Sequence, residues 1–97
     1  MNYENIVRLT GVAKSLVKGA FTTRFLLQYE ERMTCGSETI TKSDYIPVTV
    51  WAGTGNDSFG ENDSIRLSGK IVTQQYTDSN GNPKTTLEVL AKEIRRA

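Results

Sequence analysis

Asp44-Tyr45-Ile46-Pro47-Val48-Thr49-Val50-Trp51-Ala52 decides the fold, because its aliphatic residues recur with a period of two and its largest rings fall on the other side of that alternation. Successive side chains of a β-strand point to opposite faces. Ile46, Val48 and Val50 therefore share one face, and Tyr45, Thr49 and Trp51 share the other. The same split recurs from Ile65 to Tyr76, where Ile65, Leu67, Gly69 and Ile71 form one set and Arg66, Ser68, Lys70 and Tyr76 form the opposite one. A core needs the aliphatic sets. The rings and cations left outside suit the π-faces and charged backbone of a single nucleic-acid strand. A second, smaller core around Tyr45 and Trp51 accounts for the same parity, since large aromatics are usually well buried.

Working outward, five apolar segments of period two run through the chain, at about Ile6 to Ala13, Ala20 to Glu30, Asp44 to Ala52, Ser64 to Tyr76 and Thr85 to Glu93. The first places Val7, Leu9 and Gly11 opposite Arg8; the second is expected to turn Phe21, Phe25 and Leu27 inward, with Arg24 and Gln28 outward. Gly11 and Gly69 inside strands predict bulges or tight corners. Asn80-Gly81 predicts a hairpin turn between the last two segments. Pro47 lacks a ladder donor and fits only an edge or a bulge. Arg32 to Ser43 and Gly53 to Asp63 read as polar connections without an amphipathic helix. The expected fold is all-β, a five-stranded OB-fold Greek-key barrel formed by residues 1–97 as a single domain.

With 97 residues there is room for one core and one surface site. Twelve Lys and Arg against eleven Asp and Glu give little global attraction to an anionic partner, so distribution matters more. Between Asn5 and Tyr29 stand Arg8, Lys14, Lys18 and Arg24 with no acid, whereas Asp57, Glu61 and Asp63 crowd one loop. Cys35 is the single cysteine and histidine is absent, which excludes an internal disulfide and a Cys/His metal cluster and points to a reduced, cytoplasmic chain. No segment has the length or apolarity of a membrane span or an export signal.

The chemistry-bearing motifs are weak. Gly53-Thr54-Gly55-Asn56-Asp57-Ser58 lacks the third glycine and the Gly-Lys-Ser/Thr ending of phosphate loops. Asp78, Asn80 and Asn82 resemble the start of a calcium loop, but the position of the terminal acid holds Val89. A nucleophilic Ser, Thr or Cys would find no histidine base, and Glu30 and Glu31 point to opposite faces of an extended segment. No enzymatic activity, metal or other cofactor is expected. Cys35 reads as an incidental loop thiol, and Lys92, Arg95 and Arg96 as phosphate contacts or a solvated end.

The order of these segments resembles the bacterial single-stranded DNA-binding protein family, including its compact relative, primosomal replication protein B. Asn5-Ile6-Val7-Arg8-Leu9-Thr10-Gly11 is similar to the family's opening strand, and Phe21 to Glu31, ending in Glu31-Arg32, to its second. Tyr45 to Ala52 is similar to its aromatic-x-x-Val-x-x-aromatic-small strand. Gly69 to Gly81 is similar to its Gly-plus-aromatic strand leading into Asp-x-Asn-Gly, followed by Thr85-Thr86-Leu87-Glu88-Val89. The resemblance implies stacking by Tyr45, Trp51 and Tyr76, and it places a fourth stacking position on Met33, which offers a polarizable sulfur instead of a ring. The helix expected between the third and fourth strands is replaced by the loop from Gly53 to Asp63, and the acidic partner-recruiting tail is missing, as in a compact family member or a reduced copy carried by a phage or mobile element.

The resulting expectation is sequence-independent binding of single-stranded DNA in replication. Tyr45, Trp51, Tyr76 and Met33 would stack bases, and Arg8, Arg24, Arg66, Lys70 and Lys84 would pair phosphates. Of these cations, Arg24, Arg66 and Lys70 have the best parity. A homodimer is expected through the first strand, as the resemblance implies. The alternative is an OB-fold adaptor whose aromatic face docks a replicative helicase, primase or polymerase and touches DNA weakly.

Overall fold

The computed structural model describes residues 2–51 and 58–97. Its elements are β1 (Val7–Lys18), β2 (Thr22–Cys35), β3 (Glu38–Trp51), β4 (Ser64–Thr77) and β5 (Pro83–Arg96), with no helix among the described residues. They close into a barrel in the order β1-β2-β3-β5-β4, every neighbouring pair being antiparallel except β3 and β5. Among the described residues no helix is long and apolar enough to cross a membrane.

The core follows strand parity. Ala13 of β1, Phe25 and Leu27 of β2, Val48 and Val50 of β3, Ile65 and Leu67 of β4, and Val89, Ala91 and Ile94 of β5 are buried together. Removing an aliphatic side chain of this kind from water contributes about 1.5–3 kcal/mol. Phe59 joins them from the loop before β4, its ring 5.1 Å from that of Phe25 in an edge-on arrangement. It is the lone apolar residue from Gly53 to Asp63, and it is buried in the core. Residues 52–57, which include the Gly53-Thr54-Gly55 segment and Asp57, lie outside the described residues.

Two expectations change. Arg32 to Ser43 is no connection: β2 and β3 stay paired to Cys35 and Glu38 and turn through Gly36 and Ser37. Gly36 has φ +65°, as the first central residue of a two-residue hairpin turn of the II′ kind requires. The segment has no apolar period because it projects past the barrel, where neither face has a core to cover. Phe21 is not inward either. It precedes β2 and is 76% exposed, while Thr23 takes the buried position of that parity.

Gly11 and Gly69 mark close backbone approaches. A methyl group on Gly69 would run into the Leu90 carbonyl and come within 2.9 Å of the Ala91 Cα; one on Gly11 would strike the Gln28 carbonyl. The register between β4 and β5 shifts at Ser68/Gly69, opposite an extra residue, Lys92. Pro47 faces Leu26 of β2, one residue before the bridge to β5 begins at Val48, so its missing donor leaves that bridge intact. The β4–β5 turn uses one positive φ and not two. Gly81 has φ +81°, and the Asp78 carboxylate accepts the amides of Asn80 and Asn82, each at 2.9 Å.

β1 carries an irregularity between Lys14 and Val17, where Ser15 adopts φ +55°, an uncommon region for a residue with a Cβ. The bulge frees two amides, and both go to one carboxylate. Ser15 N–H donates to Glu61 Oε2 at 2.9 Å and Leu16 N–H to Oε1 at 2.7 Å. Beside them Lys14 Nζ donates to Asn62 Oδ1 at 2.6 Å, and Asn62 N–H donates to the Ala13 carbonyl at 2.8 Å. The amides of Leu16 and Ser15 hold the Glu61 carboxyl below its ordinary 4.5 against a smaller opposing desolvation, with the charge of Lys14 adding least. Because the folded value is the lower one, the stabilisation is complete above about pH 4.5 and is lost as pH falls through the lowered value. Glu61→Gln should therefore melt below the wild type at neutral pH, and the two melting curves should converge as the solution is acidified through that window.

Candidate nucleic-acid interface

Pair registers place the outward side chains of four strands on one surface. Arg24 of β2 faces Thr49 of β3, Thr49 is bridged to Leu90 of β5, and Leu90 faces Lys70 of β4. Arg24 and Lys70 thus stand at the two ends of a single cross-strand row, three strand spacings or ~14 Å apart. Trp51 lies two residues to one side of this row, and Tyr45 lies four residues to the other, so the two rings are separated by ~20 Å along β3. Tyr76 projects from β4 on the Tyr45 side of the row, directly across from Lys84 of β5.

The rings are not a second core. Tyr45 and Trp51 are each 54% exposed and Tyr76 is 51% exposed, while Val48 and Val50 between the two rings of β3 are buried and Ile46 is half-buried against the core. Parity alone left that choice open; the barrel settles it by filling its interior from the other side of each strand.

Met33 is placed differently. It faces Ile40 across the projecting hairpin and shares the parity of Leu27 and Tyr29, so the register puts it on the hairpin face opposite to that of Tyr45. Arg8 and Arg66 also stand apart from the rings. They occupy the outward face of β4 and β1: Arg66 lies on the far side of Ser68 from Lys70, and Arg8 faces Ser68.

Three features of this surface were missed in the sequence. Glu88 sits in its middle: Thr49 Oγ1 donates to its Oε2 at 3.2 Å, and Gln74 Nε2 donates to its Oε1 at 2.9 Å, tying β3 to β5 and β5 to β4. Its outward parity was readable, but its partners required the β3–β5 pairing. Phe21, one residue beyond the Thr22–Trp51 pair and of the opposite parity to Trp51, is a further exposed ring at that end of β2. Finally, where β3 leaves the β4–β5 hairpin, Tyr45, Pro47, Ile71 and Leu87 line an open groove of about 430 Å³ with Asp44 and Glu88 at its polar edge. Ile71 and Leu87 have inward parity, but here they lie beyond the end of the barrel and are 46% and 63% exposed.

A closed β1-β2-β3-β5-β4 barrel that carries exposed rings between cations is the architecture of an OB-fold binding module. The sequence model of the single-strand binding protein family matches residues 7–97, and the chain belongs to that family. Among solved structures, the chain is similar to the small single-stranded DNA-binding protein from Streptomyces coelicolor, with a TM-score of 0.69 and 16% identity over 100% of this chain and 96% of that one. It is also similar to a Plasmodium falciparum SSB in complex with ssDNA, with a TM-score of 0.74 and 18% identity over 98% of this chain and 96% of that one. No curated protein matches the sequence. The likeness to solved structures establishes the fold, and the family match extends through all five strands.

Because Trp51 is half exposed at the end of β3, its removal should spare the barrel. Trp51→Ala should keep the wild-type β circular-dichroism spectrum and lose about 1–3 kcal/mol of binding to oligo-dT, the contribution of one base–aromatic stack.

Proposed function

We propose that this protein binds single-stranded DNA with little sequence preference and acts in DNA replication, without catalysing a reaction. The observation that carries this reading is the row of Arg24 and Lys70 flanked by Trp51 on one side and by Tyr45 and the Tyr76–Lys84 pair on the other, in a member of the single-strand binding protein family. Flat rings accept any base, and cations pair with phosphates that carry no sequence information. The groove beside Tyr45 offers apolar walls to a base stacked on that ring. Met33, with Ile40 on the reverse face of the hairpin, would contribute a secondary contact for a strand that passes around the hairpin tip.

Glu88 favours a second reading. A carboxylate in the middle of the surface, in a chain of formal charge +1, limits attraction to an anion and suits an adaptor that docks a replication enzyme through its rings. The two readings separate in one titration. Oligo-dT should quench Trp51 emission to saturation, and with Arg24, Lys70 and Lys84 neutralising about three phosphates, log affinity should fall against log salt with a slope of about −2. Emission that stays constant at saturating DNA would remove the stacking role and leave the adaptor.

A homodimer through β1 is part of the proposal. Val7 to Gly11 pair with β4 on one side, whereas the pairing of β1 with β2 begins only at Val12, so the first half of β1 has a side on which another strand can be added. Sedimentation at micromolar concentration should give the mass of two chains; a single-chain mass across that range would remove the dimer.

A further inference from the structure

On the outward face of β1, β4 and β5, away from the rings, Arg8, Arg66 and Arg95 line a groove of about 360 Å³ together with Thr10, Ser68 and Glu93. The registers define two adjacent rows. Thr10, Arg66 and Arg95 form one, and Arg8, Ser68 and Glu93 form the next. Arg66 and Arg95 are therefore directly opposed across neighbouring strands, a like-charge pairing that is unfavourable when nothing lies between the two groups. Arg96, the next residue, behaves otherwise: it is paired with Asp63 at 3.4 Å. One carboxylate, Glu93, stands against three guanidinium groups in this groove.

We propose that the groove is a second phosphate-binding site, which holds the backbone of the same DNA strand after it has left the aromatic surface. The inference rests on the reading of the chain as a single-strand binder. An anion between Arg66 and Arg95 relieves their repulsion, and the planar guanidinium fork matches two phosphate oxygens at once. The position of the groove favours a nucleic-acid backbone over an acidic peptide. Lys70, Ser68 and Arg66 are successive outward residues of β4, so the cation that ends the row on the aromatic surface leads in ~13 Å to the groove without an intervening acid on that strand. A strand crossing from Lys70 passes Arg8 in the row of Ser68, on the side of that row away from Glu93, and reaches Arg66 and Arg95 in the next.

The test compares the full chain with Arg95→Gln and Arg95→Lys, using labelled oligo-dT of two lengths: about 8 nucleotides, within the ~4–16 that an OB-fold covers, and about four times longer. Arg95→Gln should bind the short strand as the wild type does, should bind the long strand roughly fivefold more weakly, and should lose about 0.7 from the salt slope on the long strand alone. Arg95→Lys should recover that slope, and Arg66→Gln, which removes the opposed guanidinium, should repeat the long-strand loss and decides the matter if Arg95→Gln does not fold. Equal weakening at both lengths would place Arg95 on the aromatic path and overturn the proposal. Unchanged binding at both lengths would overturn it as well, and an oligo-glutamate peptide held by the wild type but not by Arg95→Gln would then assign the groove to an acidic protein segment. Failure of the underlying reading looks different, because the short strand would then leave Trp51 emission unchanged in the wild type.

Discussion

The contact on which the rest depends is the one between Gly69 and the carbonyl of Leu90. No side chain fits there, so β4 and β5 approach more closely than two ordinary residues allow, and the register shift beside Gly69 bends the pair. That bend lets one pair of strands do two jobs. Below it, Ile65, Leu67, Ala91 and Ile94 close the core against β1; above it, the same strands continue as a hairpin that carries Tyr76 and Lys84. Leu90 is also the residue of β5 that joins Thr49 to Lys70. The close approach therefore positions the row from Arg24 to Lys70, and the rings are arranged about that row.

Parity made much of this legible. Ile46, Val48 and Val50 could be separated from Tyr45 and Trp51 because a strand with a core on one side must divide its residues between two faces, and the exposures follow that division. Arg32 to Ser43 was not legible for the converse reason: a hairpin in solvent on both sides imposes no alternation, and only Gly36 signals its turn. Phe21 shares the parity of Phe25 and Leu27 but lies before the strand starts, so the periodicity overran the element. Phe59 was lost inside a polar loop, although a lone ring among Gly, Asn and Asp is the residue with most to gain from burial.

Charge on this molecule is organised locally. Glu61 is spent on the amides of a bulge, Asp78 on those of a turn, Asp63 on Arg96 and Glu88 on the link between β3, β5 and β4. Four acids thus have structural duties, whereas Arg24, Lys70 and Lys84 stand on the ringed surface. A formal charge of +1 conceals this arrangement, because a count of charges does not record which of them the fold already uses.

Stacking and charge then act at different ranges along a bound strand. A ring holds a base only in contact, and Trp51 and Tyr45 lie ~20 Å apart on β3, so a strand that engages both must cross the Arg24–Lys70 row between them. With Glu88 two residues along β5 from Leu90 of that row, the backbone would be drawn toward its cationic ends and not along its middle. The Lys70 end opens onto the outward face of β4, where the next outward cation is Arg66. On the proposed reading a near-neutral chain would in this way retain an extended polyanion: the rings would fix its bases locally, and one central carboxylate would steer its backbone to the side of the barrel where Arg8, Arg66 and Arg95 stand.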